Sequence, residues 1–272
     1  MNSTTTDQKT VTLERDGPVA VLRLNQPERL NPLGLALQQR LRECFHELAS
    51  DRSVRALILT GAGKSFCVGA DLSAMQPLQS GQSLGEQSCD TMLKLSNRII
   101  EDIRALPFPV VSAVNGACAG AGVGLALAAD LVVAARSAYF FLSFMPRLGI
   151  VPDLGSTWFL ERMIGRPRAV GMALLGERIA AEQALDWGLI WGCVDDAQLM
   201  EHCMALAQKL SRLPAHAAQE IRRAFDSAAH QDLSTQLQYE ARRQRELIDR
   251  PEFAEGVKAF LSKREPNFPG RS

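Results

Sequence analysis

A chain of 272 residues, 46% hydrophobic and 22% charged, has the composition of an ordinary soluble globular protein and is long enough to bury a sizeable core, either as one large domain or as a core with an appendage. Its 30 basic and 30 acidic residues cancel to a formal charge of +0, so no basic field attracts nucleic acid or a membrane surface, and the expected partners are small molecules or other copies of the chain. Six cysteines without C-x-x-C spacing, and a polar N-terminus without an apolar signal core, point to reduced thiols in a cytoplasmic protein.

Residues 1–10 are polar and read as a flexible tail. Val19 to Leu24 partly alternates and predicts a strand stopped by Asn25-Gln26-Pro27. Between Pro32 and Ala49, Leu37, Leu41, Phe45 and Leu48 recur at helical spacing. Arg55 to Thr60 is the next strand. The Gly61-Ala62-Gly63-Lys64-Ser65 that follows ends like a phosphate-binding P-loop but has Ile58 where the first glycine belongs, so ATP chemistry is not expected. Gln76 to Gln87, rich in Gln, Ser and Gly, reads as a mobile loop of the kind that gates a site. Met92, Leu95, Ile99, Ile103 and Leu106 then mark a helix leading to Pro107.

The stretch from Pro109 to Asp130 organises the chain. Val110, Val111 and Val114 suit a buried strand, Asn115-Gly116 breaks it, and the run from Leu125 to Ala129 favours helix. A helix beginning near Ala121 offers unpaired N–H groups and a positive dipole end to an oxygen that acquires negative charge, which is half of an oxyanion hole. A membrane span is the wrong reading of this uncharged stretch, because alanine and glycine are only weakly apolar and Asn115-Gly116 is a turn signal. Dinucleotide binding fails too, since Leu125 stands where the last glycine of G-x-G-x-x-G belongs. A glycine-rich helix serving only close packing stays open as the alternative.

A strand at Leu131 to Ala134, an aromatic run at Tyr139 to Phe144 and two further strand-helix units lead to Asp196, and this alternation argues an α/β fold. Every segment beyond Asp196 reads as helix, with breaks at Pro214 and Pro251. Residues 11–196 are therefore expected to form the core, and 197–272 a helical region that caps it or mediates oligomerisation.

Within Phe66-Cys67-Val68-Gly69-Ala70-Asp71-Leu72, Asp71 is expected to cap the helix that follows, and the glycine turn to present the Val68 N–H. Together with Ala121 that makes two donors, the minimum for a working oxyanion hole. His46, His202, His216 and His230 lie in helix patterns outside these motifs, and Cys67 and Cys118 have no evident histidine partner, so packing or surface roles are expected for all six.

These residues carry a family resemblance. The Phe66–Leu72 segment, Asn115-Gly116-Ala117-Cys118-Ala119-Gly120-Ala121-Gly122 and Leu148-Gly149-Ile150-Val151-Pro152 together resemble the crotonase (enoyl-CoA hydratase/isomerase) superfamily, from Pro27-Glu28-Arg29-Leu30-Asn31 through Phe260-Leu261-Ser262-Lys263-Arg264. The resemblance implies a spiral of ββα turns, a C-terminal helical trimerisation region and an acyl-CoA substrate whose thioester carbonyl sits between the N–H groups of Val68 and Ala121. It also implies substrate contacts along Gly69, Ala70 and Asp71, a CoA phosphate near Arg29, Phe260 and Lys263 reaching CoA from a neighbouring subunit, a homotrimer or dimer of trimers, and no metal or cofactor beyond the coenzyme A of the substrate.

The departures bear on the reaction. Family hydratases carry two glutamates that activate water and deliver the proton, and the matching positions here are Gly124 and Met145, neither of which can handle a proton. Asp153, flanked by apolar residues, is the remaining carboxylate, and burial would raise its pKa into the range of a base. A plain cap on the helix starting near Ser156 is the other reading of Asp153. The run Gly149 to Asp153, with Ala181 to Trp191, is similar to a narrower branch that includes the ring 1,2-epoxyphenylacetyl-CoA isomerases of phenylacetate degradation. That implies double-bond or ring-epoxide isomerisation on one aspartate. Hydration, another reaction on the same scaffold, or a catalytically silent acyl-CoA binder stay open.

Overall fold

The computed structural model describes residues 10–75 and 81–270. Strands β1 (Val11–Asp16), β2 (Val19–Leu24), β3 (Ala56–Gly61), β5 (Val110–Val114), β7 (Leu131–Ala135) and β10 (Gly192–Val194) form a six-stranded sheet in the order β1-β2-β3-β5-β7-β10. Strands β4 (Ser65–Cys67), β6 (Ala117–Ala119), β8 (Tyr139–Phe141) and β9 (Arg178–Ala180) form a second sheet in that order. The β1-β2 hairpin is antiparallel, whereas β2, β3, β5, β7 and β10 run parallel. Central strands β3 and β5 are buried along their whole length, which is why they read as continuous apolar runs rather than alternating ones.

The chain visits the large sheet, then the small one, then a helix, three times over. β3 and β4 lead to α2 (Leu84–Thr91) and α3 (Asn97–Ala105), β5 and β6 to α4 (Ala121–Leu127), and β7 and β8 to α5 (Ser156–Leu175). This is the ββα spiral that the resemblance implies. Helix α1 (Leu35–Ser50), placed before β3, packs on α3 and β1. Helix α4 touches β5 and β7 of one sheet and β4 and β6 of the other, so both sheets hold it.

Helix α6 (Ala181–Asp186) closes the core, and α7 (Leu199–Ser211), α8 (Ala217–Ala228), α9 (Leu233–Ile248) and α10 (Pro251–Leu261) follow. The first of these four is more than a cap, since α7 buries Leu199, Cys203 and Ala207 against β2, β3, β5 and β7. None of the helices among the described residues is long and apolar enough to cross a membrane.

Local physics adds one strand and corrects two expectations. Strand β1, which the sequence pattern does not mark, pairs antiparallel with β2 across the Gly17-Pro18 turn. The expected loop from Gln76 to Gln87 lies outside the described residues over 76–80, and its end is helical. Ser83 caps α2 by accepting from the Glu86 N–H at 3.2 Å while the Glu86 carboxylate accepts from the Ser83 N–H at 2.8 Å, the reciprocal box that S-x-x-E spells. The helix expected from Met92 to Leu106 opens with a π-helical turn at Met92–Ser96 before α3.

One buried cation ties the C-terminal helices to the core. On α8, Arg222 spends all five of its N–H donors. Nε and Nη2 donate to Asp130 at 2.7 and 2.6 Å, Nη1 donates to the carbonyls of Arg104 and Leu106, and Nη2 also donates to that of Phe108. Asp130, just past α4, accepts in turn from the Val110 N–H that begins β5. Arg222→Ala is expected to lower the unfolding free energy by about 2–4 kcal/mol, because it strands Asp130 and three carbonyls. Urea unfolding checks this, and a loss below about 0.5 kcal/mol would show the clamp to be idle.

Candidate active site

The turn after β4 and the turn into α4 are pressed together. A Cβ built on Gly69 would lie 3.0 Å from the Ala121 nitrogen, and one on Gly120 would lie 3.6 Å from the Val68 carbonyl oxygen. Gly120, at φ 53°, makes the left-handed step that lets the chain leave β6 and start α4 at Ala121. As the first residue of that helix, Ala121 has an N–H without an intrahelical acceptor. Opposite, the Gly69 carbonyl accepts from the Leu33 N–H at 2.7 Å, and Leu33 pairs with Ala70 as an isolated parallel bridge. Asn31 secures this segment from inside. Fully buried, it accepts from the Gln26 N–H and donates to the carbonyls of Ala62 and Ser65.

Ala70, Asp71, Ala121 and Asp153, all singled out by the sequence, border a single cleft of about 260 Å³. Val68 and Gly69 lie on the turn that runs into Ala70 and against Ala121. Gln38 and Ser96 border the same cleft, and the sequence motifs do not single them out. The only signal for Gln38 is a polar residue beside Leu37 and Leu41 on the core face of α1, and Ser96 is placed by the π turn, which has no simple sequence mark.

The two carboxylates of the cleft differ. Asp71 does not cap a helix through its side chain, contrary to expectation, because only a single 3-10 turn follows and its carboxylate is otherwise engaged. It accepts from Ser73 Oγ at 2.6 Å and from Arg29 Nη2 at 2.7 and 2.8 Å. The Ser73 hydrogen bond and the Arg29 charge hold its carboxyl below the usual range. Arg29 gives its Nη2 to Asp71 and Ser73, with half its side chain exposed.

Asp153 is the opposite case. Its Oδ1 is buried with no hydrogen-bond partner among the described residues. Desolvation, partly countered by its own backbone N–H, pushes its carboxyl up to about 6. It does not cap α5 with its side chain either. The cap position is Gly155, and Asp153 contributes only its backbone carbonyl, accepting from the Ser156 N–H at 2.9 Å. Leu154 at φ 46° and Gly155 at φ 75° form the left-handed step that turns the chain into the helix.

Glycine in α4 sets how close this loop can come. A Cβ on Gly124 would lie 2.2 Å from the Leu154 carbonyl oxygen, and one on Gly122 would lie 2.3 Å from the Cys67 carbonyl oxygen. The close-packing reading of this helix is therefore correct, and it coexists with the turn at Ala121. Position 124 has no room for a side chain while Asp153 holds its place. Met145 lies in a π-helical turn at Phe144–Leu148 and is 40% exposed.

The remaining candidates lie elsewhere. Burial pushes the Cys67 thiol up to about 12 and raises that of Cys118, which leaves both protonated and inert. Phe260, 83% exposed on α10, and Lys263 just beyond it do not border the cleft of their own chain. Phe260 instead borders a second groove with Phe253, Val257 and Phe268. No group of three or more His, Cys, Asp or Glu placed to hold a metal ion occurs among the described residues.

Comparison with known proteins places the chain in a family. The enoyl-CoA hydratase/isomerase family model matches residues 14–271. A 1,2-epoxyphenylacetyl-CoA isomerase of Escherichia coli K12 is 43% identical over 255 residues, covering 93% of this chain and 95% of its own. A Rhodobacter capsulatus protein named as a probable enoyl-CoA hydratase is 42% identical over 262 residues, covering 96% and 98%. Among solved structures, an enoyl-CoA hydratase from Polaromonas superposes with a TM-score of 0.88 at 31% identity, covering 95% of this chain and 99% of that one.

Gly124→Ala is expected to push the Leu154 backbone away and to lower the unfolding free energy by about 1–3 kcal/mol. Thermal or urea unfolding, with a structure of the variant, reads both effects. Unchanged stability with residues 151–155 in place would show that the contact is not tight.

Proposed function

The chain belongs to the enoyl-CoA hydratase/isomerase family, whose members act on acyl-CoA thioesters, and we propose that it is an acyl-CoA isomerase working with a single carboxylate base. The observation that carries this reading is Asp153, a desolvated carboxylate with an unpartnered buried oxygen in the cleft that Ala121 also borders. In this mechanism the thioester oxygen accepts from the N–H groups of Val68 and Ala121. Asp153 removes a proton from C2 of a 3-enoyl thioester, and the electron pair passes into the carbonyl as the dienolate forms. The hole holds the charge. The same proton returns from Asp153 to C4, and the double bond moves from C3–C4 to C2–C3. Hydration by two glutamates has no support at Gly124 and Met145.

The identity with the Escherichia coli isomerase supports an aromatic ring epoxide as the acyl group on the same hole and base. The proposed reaction uses no metal or cofactor beyond the coenzyme A of the substrate. The proposed assembly is a homotrimer or dimer of trimers in which Phe260 and Lys263 reach the CoA bound by a neighbour, supported by the exposed apolar faces of Phe253, Val257 and Phe260.

Two measurements test this. With a 3-enoyl-CoA and a ring-epoxide CoA as substrates, Asp153→Asn is expected to lower kcat by about 10²–10⁴-fold for the substrate that the wild type turns over, with EDTA without effect. Because the base must be ionised and its pKa is raised to about 6, wild-type kcat/KM should rise as pH climbs through about 6 and level off above it. Turnover that survives in the variant removes Asp153 from the mechanism, and acyl-CoA binding without turnover in the wild type makes the protein a silent binder. Light scattering should return three or six times the chain mass, and a monomer would refute the assembly.

A further inference from the structure

The cleft is not an all-hydrocarbon slot. Leu33, Leu35, Met75 and Leu154 give it apolar walls, but a group of neutral polar side chains also borders it. Gln38 and Ser96 are each only 6% exposed, a degree of burial at which polar groups are normally satisfied. They are paired to each other, Ser96 Oγ donating to Gln38 Oε1 at 2.6 Å, while Gln38 Nε2 donates to the Leu33 carbonyl at 2.8 Å.

That leaves capacity over. A glutamine amide carries two N–H donors and two acceptor lone pairs, and Gln38 uses one of each on partners among the described residues. Ser96 keeps its acceptor lone pairs as well. Its place is set by the π-helical turn at Met92–Ser96, an irregularity frequent at functional sites. The same helix brings Ser88 and Thr91 to the cleft.

Charge narrows the matching ligand. Among the described residues the ionisable groups that border the cleft are Asp71, already paired with Arg29, and Asp153, so no lining cation receives an anionic acyl group and Asp153 would oppose one. A neutral oxygen suits the spare donor and acceptor. A wholly hydrocarbon acyl group would dehydrate them without replacement, the situation in which a polar site discriminates against the analogue that lacks the hydrogen-bonding group.

We infer that Gln38, held by Ser96, is a specificity residue that selects acyl-CoA thioesters whose acyl group carries a neutral oxygen, such as a ring epoxide or hydroxyl, over their hydrocarbon counterparts. This rests on the reading of the cleft as an acyl-CoA site, but not on the isomerase chemistry. The experiment measures binding and needs no turnover, so loss of the isomerase reading leaves it intact.

Calorimetry with phenylacetyl-CoA and with its ortho-, meta- and para-hydroxyphenyl analogues gives the ratio of dissociation constants for wild type, Gln38→Met and Ser96→Ala. The wild type is expected to bind at least one hydroxylated analogue about three- to tenfold more tightly than the parent. Gln38→Met should bring that ratio to about one, with Ser96→Ala between them. A general loss of packing would weaken all four ligands together and leave the ratio alone. The inference is overturned if the wild type shows no preference, or if the ratio persists in the variants. Should Gln38→Met not fold, the ratio in Ser96→Ala decides.

Discussion

The seat of α4 is the constraint on which the site depends. Gly122 and Gly124 let this helix lie against the carbonyls of Cys67 and Leu154, both closer than any Cβ would permit. Because α4 touches strands of both sheets, the approach of the two loops is fixed relative to the sheets themselves. The start of α4 at Ala121 and the Asp153 loop packed on that helix thus border the same cleft. A site held by backbone packing of this kind has little slack, which is what positioning a reacting carbonyl within a fraction of an ångström asks for.

Environment rather than residue type separates the two carboxylates of the cleft. Asp71 is supplied with donors by Ser73 and Arg29 and stays ionised as part of the turn's framework. Asp153 is desolvated by burial and its Oδ1 has no partner among the described residues, so its carboxyl is raised to about 6. Environments that push the pKa values of neighbouring acids apart identify which of them can exchange a proton. The Asn31 hub and the Arg222 clamp are the opposite case, buried polar groups whose donors meet acceptors.

The π turn and the C-terminal helices are built around the core sheets. One irregular turn at Met92–Ser96 brings a serine onto a buried glutamine at the cleft, while the strands beneath keep their register. The C-terminal helices divide in character. Helix α7 is an integral layer on the main sheet, and α8 is latched through Arg222. In contrast, α10 shows Phe253, Val257, Phe260 and Leu261 to the outside.

Much of this molecule was legible in its sequence. The α/β alternation, the strand-turn-helix junction at Asn115 to Ala129 and the C-terminal helices follow from periodicity and from glycine placement, which are local properties. The family follows from several ordered motifs, and the absence of carboxylates at Gly124 and Met145 is a plain fact of composition. Tertiary structure decided what local pattern does not encode. Asp71 reads as a cap until Arg29, 42 positions away in the chain, is brought against it. Asp153 reads as a base with a cap as the alternative until its Oδ1 is seen buried without a partner among the described residues while Gly155 takes the cap position. Gln38 and Ser96 are 58 residues apart and meet only because α1 and the π turn pack across the cleft. Hydrogen bonds and desolvation depend on distances through space, and sequence order carries those only where neighbours in the chain are also neighbours in the fold.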